Sequence, residues 1–305
     1  MKRDSETTIG GLIKKGSHII GKTKPETALL DACLLLGTLL SRDKAYLLSH
    51  REETVPVDAI ELFYSAVRRR QNGEPVAYIT GKKDFWRYSF RVTPAVLIPK
   101  PDTEILLERA LCIINEQKAK IENNNPGFKN GFQVLDVCTG SGCIAVSLKA
   151  ELPDIRVTAT DISGEALLIA AQNAEEILGS GHTVRFIQGD LRPGLPAAEG
   201  KSGEKYMLVV SNPPYVPTET AASLLADGRN EPLLALDGGA EGLDLIRPLI
   251  DNAISVLEKK GRILVETGEY NADAAADYLQ AKGFIEIAIH KDLSGQNRVI
   301  EGLLL

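Results

Sequence analysis

A regular alternation of short apolar segments and helical patterns constrains the fold of this chain more than any other feature. The apolar segments lie at 132–137, 155–160, 184–187, 206–211 and 262–266. Strands that alternate with helices form parallel sheets, because each helix returns the chain to the edge where the next strand begins. Two further segments, 284–290 and 299–303, lie close enough to pair as a hairpin. The pattern predicts an α/β fold with a doubly wound, mostly parallel sheet, which binds ligands at the carboxyl ends of its strands.

The fourth of these strands ends in Asn212-Pro213-Pro214-Tyr215. Consecutive prolines lack backbone N–H groups and fix φ, so the backbone here is stiff and extended. The side-chain oxygen of Asn212 and the backbone oxygen of Pro213 then form two hydrogen-bond acceptors at a fixed separation, which suits the two N–H groups of a planar amide or amino group. Tyr215 offers a flat face to pack against that plane. A proline turn that ends a strand is the alternative interpretation, but four such residues after a buried strand favour a binding site.

The turn after the first strand predicts a nucleoside site. It reads Cys138-Thr139-Gly140-Ser141-Gly142, and its glycines allow a ligand to approach the backbone beside a helix N-terminus. Asp161 ends the second strand 19 positions after Gly142, close to the roughly 20 expected for an acid that binds a ribose. A tight turn and an N-cap aspartate would explain each feature separately. The series Gly140-x-Gly142-x-x-Ala145 also fits a dinucleotide fingerprint, so an NAD-dependent oxidoreductase stays open.

The third strand is followed by Gly189-Asp190-Leu191. Asp190 is a candidate acceptor for the amino group of an adenine, and an ordinary turn aspartate is the equal alternative. Leu191 follows it at the same edge of the predicted sheet.

Three regions differ in their patterns. Residues 1–73 predict a small helical domain, in which Thr23 and Glu26 fit a capping box that begins a helix. Residues 74–98 are rich in aromatic and β-branched residues and predict a β-hairpin linker. Residues 99–305 hold the α/β pattern, with a helix that begins near Asp102.

Composition excludes some classes of protein. The 305 residues are 44% hydrophobic and 25% charged, as in water-soluble globular proteins. The sequence shows no apolar stretch long enough to span a membrane and no signal peptide at its start, so we expect a cytoplasmic protein. The four cysteines form no C-x-x-C pair and the four histidines show no metal-ligand spacing, so no metal site is predicted. A net charge of −6 disfavours a nucleic-acid-binding protein.

The Asn-Pro-Pro-Tyr signature resembles that of methyltransferases that modify a planar nitrogen with S-adenosylmethionine, among them DNA amino-methyltransferases and protein-glutamine methyltransferases. Over nearly its full length, the chain is similar to the second group, the release factor glutamine methyltransferases (the HemK/PrmC family). The segments that carry the resemblance are the helical N-terminal region, the hairpin, 98–104, 134–142, Asp161, Gly189-Asp190, 212–215, Asn230-Glu231-Pro232, 236–239 and Arg298-Val299.

The resemblance implies a class I S-adenosylmethionine-dependent methyltransferase with a seven-stranded sheet whose last strands are antiparallel. It implies that peptide chain release factors are the protein substrate, with no direct binding of nucleic acid or membrane. The substrate glutamine would lie on Asn212, Pro213, Pro214 and Tyr215, with Asn212, Pro213 and Tyr215 catalytic. The cofactor would be held by Cys138, Thr139, Gly140, Ser141, Gly142, Asp161, Asp190, Leu191 and Asn212.

Two positions depart from the family pattern. Lys100 stands where family members commonly have arginine, and Cys138 where they commonly have glycine. Lysine keeps the charge but not the bidentate fork, and cysteine lacks the φ freedom of glycine. A nucleic-acid amino-methyltransferase, an NAD-dependent oxidoreductase and a non-catalytic module that binds adenosine nucleotides remain the alternative functions.

Overall fold

The computed structural model describes residues 7–124, 131–181, 183–192, 194–196, 205–226 and 230–305. The chain forms two compact units. The first comprises the described parts of Met1–Lys82 and Leu224–Asn230, and the second those of Lys83–Ser223 and Glu231–Leu305.

The first unit is a small helical bundle with its own apolar core. Its helices are α1 (Ile9–Ile20), α2 (Ala28–Leu40), α3 (Lys44–Ser49), α4 (Val57–Gln71) and α5 (Val76–Thr80). The apolar residues of α1 recur every three or four positions, so one face of the helix is buried. Helices α1 and α4 approach closely at Gly16, where a Cβ atom would lie 2.6 Å from Cζ of Phe63. The helical prediction for this region is confirmed.

The capping box predicted at Thr23 and Glu26 is wrong. Helix α2 begins at Ala28 with Thr27 as its N-cap. The Thr23 hydroxyl instead donates to the backbone oxygen of Gln71, 3.0 Å away at the end of α4. The hydrogen bond to Gln71 has therefore replaced the capping interaction that was predicted for Thr23.

Two arginines of the last turn of α4 lie in ion pairs within the helical unit. Arg70 donates to the buried carboxylate of Asp31 at 2.7 Å, and Arg69 pairs with Glu74. The first pair joins α4 to α2, so these charges stabilise the bundle in addition to favouring the helix C-terminus.

The remaining elements build the α/β architecture. The strands are β1 (Lys82–Phe85), β2 (Tyr88–Arg91), β3 (Gln133–Val137), β4 (Arg156–Asp161), β5 (Val184–Gln188), β6 (Tyr206–Ser211), β7 (Leu257–Glu266), β8 (Phe284–Lys291) and β9 (Asn297–Leu304). The helices are α6 (Thr103–Asn124), α7 (Cys143–Glu151), α8 (Gly164–Leu178), α9 (Thr218–Ala226), α10 (Ile246–Val256) and α11 (Ala272–Ala281), with one 3₁₀ turn at Leu233–Ala235.

The hairpin predicted across 74–98 is shorter than expected. Residues Val76–Thr80 form α5, and the strands are β1 and β2, which are joined at Trp86-Arg87. The β-branched residues of α5 misled the prediction, because a helix tolerates them at a small cost in propensity. Phe85 and Phe90 are buried in the core of the α/β unit, and Asn173 of α8 exchanges two hydrogen bonds with the backbone of Arg91. The hairpin therefore packs as part of that unit.

The large sheet has the strand order β5-β4-β3-β6-β7-β9-β8. The first five strands of this order are parallel, whereas β9 is antiparallel to both β7 and β8. Successive side chains alternate between two cores, so Val134 and Leu208 pack on one face while Leu135 and Val209 pack on the other. The predicted doubly wound sheet with antiparallel last strands is confirmed.

The register of the central strands fixes where the site lies. Val137, the last residue of β3, pairs with Thr160 on β4 and with Ser211 on β6. Ser211 in turn pairs with Val265 on β7. The residues that follow these positions therefore meet at one edge of the sheet, although they lie far apart in sequence.

Candidate active site

A cavity of about 560 Å³ lies at this carboxyl edge of the α/β unit. The predicted site residues that line it are Cys138, Thr139, Gly140, Ser141, Asp161, Asp190, Leu191, Asn212 and Pro214. Its volume falls within the roughly 300–1,000 Å³ typical of small-molecule sites. Three predicted site residues, Gly142, Pro213 and Tyr215, are not in the lining.

The loop after β3 takes a left-handed backbone at three positions. Cys138, Gly140 and Gly142 have φ values of 60°, 55° and 80°. A Cβ at Gly142 would lie 3.0 Å from Cβ of Ala170, so this glycine is required for the packing of the loop against α8. A Cβ at Gly140 would meet nothing within 4 Å, which leaves its backbone open to a ligand. Cys138 holds a conformation that costs a non-glycine residue on the order of 1–3 kcal/mol.

The buried carboxylate of Asp136, on β3, anchors this loop, although the sequence analysis did not identify Asp136 as a site residue. Its carboxylate is fully buried and accepts hydrogen bonds from the Thr139 hydroxyl at 2.7 Å and the Ala145 N–H at 3.2 Å. Burial raises the pKa of Asp136 to about 7, and these two hydrogen bonds oppose that rise. The available signal was an acid between the apolar residues Leu135 and Val137 of a buried strand, since aspartate is rarely buried unless it is paired.

Asp161 connects the end of β4 to the same loop. Its Oδ2 atom accepts the Gly140 N–H at 2.9 Å, and its Oδ1 atom accepts the Ser163 N–H at 2.9 Å. Burial raises the pKa of Asp161, and these backbone donors oppose the rise. The carboxylate lines the cavity, where it is available as an acceptor for ligand hydroxyl groups.

Asp190 has a partner that the sequence analysis did not foresee. Arg192 binds its carboxylate through Nε at 2.9 Å and Nη2 at 2.6 Å, and this contact lowers the pKa of Asp190. An adenine amino group would share the carboxylate with this guanidinium. Leu191 is buried beside it and presents an apolar wall to the cavity.

Asn212 is oriented by a residue distant in sequence. Its Nδ2 atom donates to the hydroxyl oxygen of Thr103, at the start of α6, over 3.1 Å. An amide is planar, so this bond turns the side-chain oxygen away from Thr103 and leaves it available to a ligand. Both residues line the cavity.

Backbone contacts fix the segment that follows Asn212. The Tyr215 carbonyl accepts hydrogen bonds from Nδ2 of Asn271 at 3.1 Å and from the Tyr270 hydroxyl at 3.2 Å. Gly242 approaches so closely that a Cβ there would lie 2.1 Å from the Tyr215 oxygen. The next residue, Val216, exchanges backbone hydrogen bonds of 2.9 and 2.8 Å with Leu236 and Gly238. These contacts therefore restrain the Asn-Pro-Pro-Tyr segment in addition to the restraint from its two prolines.

Tyr215 points toward a buried acid rather than along the cavity wall. Its hydroxyl donates to Oε1 of Glu266, the last residue of β7, over 3.2 Å. Glu266 is completely buried, which raises its pKa to about 7, while the adjacent Thr103 hydroxyl, Arg298 and Tyr215 lower it. The predicted packing of the Tyr215 ring against a substrate plane stays a prediction.

Lys100 is held by an ion pair at the cavity wall. Its Nζ atom lies 2.6 Å from Oε1 of Glu231, whose side chain is only 4% exposed. The lysine thus keeps a positive charge at the cavity, but a buried carboxylate already offsets part of it.

Comparisons with known proteins identify the family. The family described as PrmC N-terminal domain matches residues 11–81, and the methyltransferase small domain family matches residues 122–227. A release factor glutamine methyltransferase from Moorella thermoacetica is 39% identical over 274 residues, which cover 90% of each chain. The chain belongs to the release factor glutamine methyltransferase family.

Another member of the release factor glutamine methyltransferase family, from Clostridium acetobutylicum, is 33% identical over 94% of this chain and 95% of its own. Among solved structures, the hMettl16 catalytic domain in complex with MAT2A 3′UTR hairpin 1 is similar in fold. It matches with a TM-score of 0.51 and 12% identity over 81% of this chain and 80% of its own. Together with the methyltransferase small domain match and the strand order of the large sheet, this likeness confirms the predicted class I S-adenosylmethionine-dependent methyltransferase fold. No helix in the described part of the chain is long and apolar enough to cross a membrane.

We expect the α/β unit to become more stable as the pH falls from 8 to 6. Burial raises the pKa of Asp136 and of Glu266 to about 7, above the values of unfolded carboxyls. Each group therefore takes up a proton on folding between its unfolded and folded pKa, and stability increases as the pH falls through the folded pKa. The gain should be about 1 kcal/mol for each carboxyl over this interval.

The midpoint of urea unfolding, followed by the fluorescence of Trp86, measures this effect. Trp86 is the one tryptophan of the chain, so its signal reports on the α/β unit. Glu266→Gln should reduce the dependence of the midpoint on pH by about half, because it removes one of the two carboxyls. A urea midpoint that is lower at pH 6 than at pH 8 would contradict the raised pKa values of Asp136 and Glu266.

Proposed function

We infer that this protein transfers the methyl group of S-adenosylmethionine to the side-chain amide nitrogen of a glutamine in peptide chain release factors. Membership of the family supports the reaction, the cofactor and the substrate. The observation that carries the assignment of the site is the Asn212 side chain, which Thr103 orients at the cavity beside the glycine-containing loop. Release factors act in translation, so we place the protein in the cytoplasm.

The residues present fit the cofactor. Gly140 leaves room for a ligand against its backbone, and Asp161 offers an acceptor for ribose hydroxyl groups. Leu191 supplies an apolar surface for a base, and the loop from Cys138 to Gly142 leads into α7 with Gly142 as the N-cap of that helix. When bound, the cofactor supplies a methyl group that is already activated by its sulfonium.

The role of the protein is then to align the substrate nitrogen. An amide nitrogen is a weak nucleophile because its lone pair is delocalised into the carbonyl group. Orientation of the two reactants contributes about 7–11 kcal/mol to reactions of this kind. We assign Asn212 and Pro213 to accept the two amide N–H bonds, so that their oxygens also favour the positive charge that develops on nitrogen. After methyl transfer, the nitrogen loses its extra proton to water, without a side-chain base.

Mass spectrometry of a release factor incubated with the protein and S-adenosylmethionine tests the reaction. We expect a gain of one methyl group on a single glutamine side chain. The Asn212→Ala variant is the matched control, because it lacks one proposed acceptor and should leave the substrate almost unmodified. Methylation of nucleic acid but not of the release factor, or the use of NAD as cofactor, would overturn the proposal.

We propose that the helical unit recognises the protein substrate and contributes nothing to the chemistry. The predicted site residues all lie in the α/β unit, and the helical unit has a separate core. A protein without residues 1–81 should bind S-adenosylmethionine with native affinity. It should methylate a release factor with a kcat/KM at least about tenfold lower, the equivalent of ~1.4 kcal/mol of lost contacts. Native methylation of the full-length release factor by the shortened protein would exclude this role.

A further inference from the structure

The turn that joins β8 to β9, residues 292–296, lies at the same edge of the sheet as the site. Strand β9 runs antiparallel to β7 and begins beside its carboxyl end, where Val299 pairs with Glu266. The loop that follows β7 is bound to this region, because the Thr267 N–H donates to the Arg298 oxygen over 2.8 Å. The β8–β9 turn and the loop after β7 therefore both project from the edge where β6 ends in the Asn-Pro-Pro-Tyr segment.

A buried aspartate, Asp292, fixes the shape of the β8–β9 turn. Its Oδ1 atom accepts the N–H groups of Ser294 at 2.9 Å and Gln296 at 3.0 Å. Its Oδ2 atom accepts Nη2 of Arg298 at 2.8 Å, and the same guanidinium lies 3.6 Å from the carboxylate of Asp102. Asp102 directly precedes α6, whose first residue bonds to the amide of the site. The turn is therefore restrained by its own hydrogen bonds and tied to an element of the site.

This restrained turn carries an apolar side chain into solvent. Leu293 is 100% exposed, so its side chain contributes no packing to the fold. The apolar surface that it presents is still available for burial against a partner. A single exposed leucine is ordinary on a protein surface, but here a second large side chain is exposed at the same edge.

The second exposed side chain is Tyr270, in the loop after β7. It is 56% exposed, and its hydroxyl donates to the backbone oxygen of Tyr215 over 3.2 Å. Its ring packs on the backbone of Gly268, where a Cβ would lie 2.6 Å from Cζ of the ring. One end of the ring is thus bound to the Asn-Pro-Pro-Tyr segment, and more than half of the residue stays in water. Tyrosines held in this way are frequent at the energetic centres of protein interfaces.

Both side chains lie outside the cavity that we assign to the cofactor. Neither Tyr270 nor Leu293 is in its lining, and the same is true of Pro213 and Tyr215. In methyl transfer the nitrogen attacks the carbon from the side opposite the sulfonium, because the reacting atoms must be aligned. The substrate therefore reaches the Asn-Pro-Pro-Tyr segment from the side away from the cofactor, and residues that border the segment outside the cavity border the path of the substrate.

We propose that Tyr270 and Leu293 form a docking surface for the segment of the release factor that carries the substrate glutamine. The inference rests on the proposed function, and it adds a contact of the α/β unit to the recognition that we assign to the helical unit. The docking surface is continuous with the proposed glutamine site, because Tyr270 is bonded to Tyr215. A tyrosine ring and a leucine side chain offer apolar contacts, so the occupant is the main chain and the apolar atoms of the residues beside the glutamine.

Steady-state methylation of a release factor tests the proposal by separating KM from kcat. Leu293→Ala should raise KM for the release factor about fivefold and leave kcat unchanged, because the lost contact stabilises the bound substrate and the transition state equally. Tyr270→Ala removes a larger surface and should raise KM about tenfold. Calorimetry should give native affinity for S-adenosylmethionine in both variants, since neither residue lines the cavity.

Two variants serve as controls. Leu168→Ala is matched to Leu293→Ala, because Leu168 is 66% exposed on α8, a helix that packs beside β4 and β5 in the other half of the sheet. It should keep the native KM. Tyr270→Phe keeps the ring and removes only the hydrogen bond to Tyr215, so its KM should stay close to the native value.

A native KM in either alanine variant would overturn the docking surface. So would a Tyr270→Phe variant whose KM is raised as much as that of Tyr270→Ala, because the hydroxyl would then act by supporting the Asn-Pro-Pro-Tyr segment and the ring would make no contact with the substrate. The native protein, assayed in parallel, tests the proposed function separately. Its failure to methylate any release factor would refute that function, whereas native methylation with unaffected alanine variants would refute the docking surface alone.

Discussion

Asn212→Ala should lower the rate of methyl transfer by about 10²–10³-fold and leave the fold intact. The substitution removes one of the two acceptors that hold the substrate amide. The backbone around it should not move, because Pro213 and Pro214 fix the chain and Tyr215 is held by Asn271 and Tyr270. The substitution should lower mainly kcat, because we assign Asn212 to orient the substrate amide and to stabilise the transition state.

Single-turnover transfer at saturating cofactor and release factor measures this prediction. Asn212→Asp is the control, because it keeps an oxygen at nearly the same position but adds a charge. The new carboxylate also lies where the amide of Asn212 donates to the Thr103 hydroxyl, so we expect partial activity. A folded Asn212→Ala protein that transfers methyl groups at the native rate would remove Asn212 from the catalytic site.

Asp161→Ala should weaken S-adenosylmethionine binding by about one to two orders of magnitude. A hydrogen bond to a charged group contributes roughly 1.5–3 kcal/mol, and every ~1.4 kcal/mol changes affinity tenfold. The structure adds a second reason, because the same carboxylate anchors the N–H of Gly140 in the cofactor loop. The variant loses both the ligand contact and the support of the loop.

Calorimetry with S-adenosylmethionine measures the affinity, and Asp161→Asn separates the two contributions. Asparagine keeps an oxygen that is able to accept from Gly140, so it should bind more tightly than alanine but less tightly than the native carboxylate. Unchanged affinity in a folded Asp161→Ala protein would reject the assignment of Asp161 to the cofactor.

Sequence patterns predicted the sheet well, because each central strand is buried on both faces and reads as a continuous apolar segment. The run 206–211 coincides with β6 in the structure. Local signals were weaker where tertiary contacts compete with them. Thr23 has the pattern of a helix cap but bonds to the end of another helix, and Val76–Thr80 has strand composition but forms a helix. In both places long-range packing decided the outcome.

The sequence predicted the site residues that belong to short continuous motifs. It did not predict the residues, distant in sequence, whose side chains hold those motifs in place. The positions that line the cavity from β3, β4 and β6 follow from strand ends and glycine spacing. From within the fold, Asp136 and Thr103 act on lining residues, and Glu266 and Asn271 act on Tyr215. Their contacts depend on sheet register and on the position of α6, which a linear pattern does not specify.

The close approach of Gly242 to Tyr215 has a consequence for the affinity of different substrates. Fixing the backbone of a residue costs about 1–2 kcal/mol of conformational entropy. The segment after Asn212 loses this entropy when the protein folds, because the close approach of Gly242 and the hydrogen bond from the Asn271 amide already immobilise the segment in the free protein. On binding, the freedom that remains to be lost belongs to the substrate. A glutamine carried on a loop that a release factor already restrains should therefore bind more tightly than the same glutamine in a flexible peptide of identical sequence.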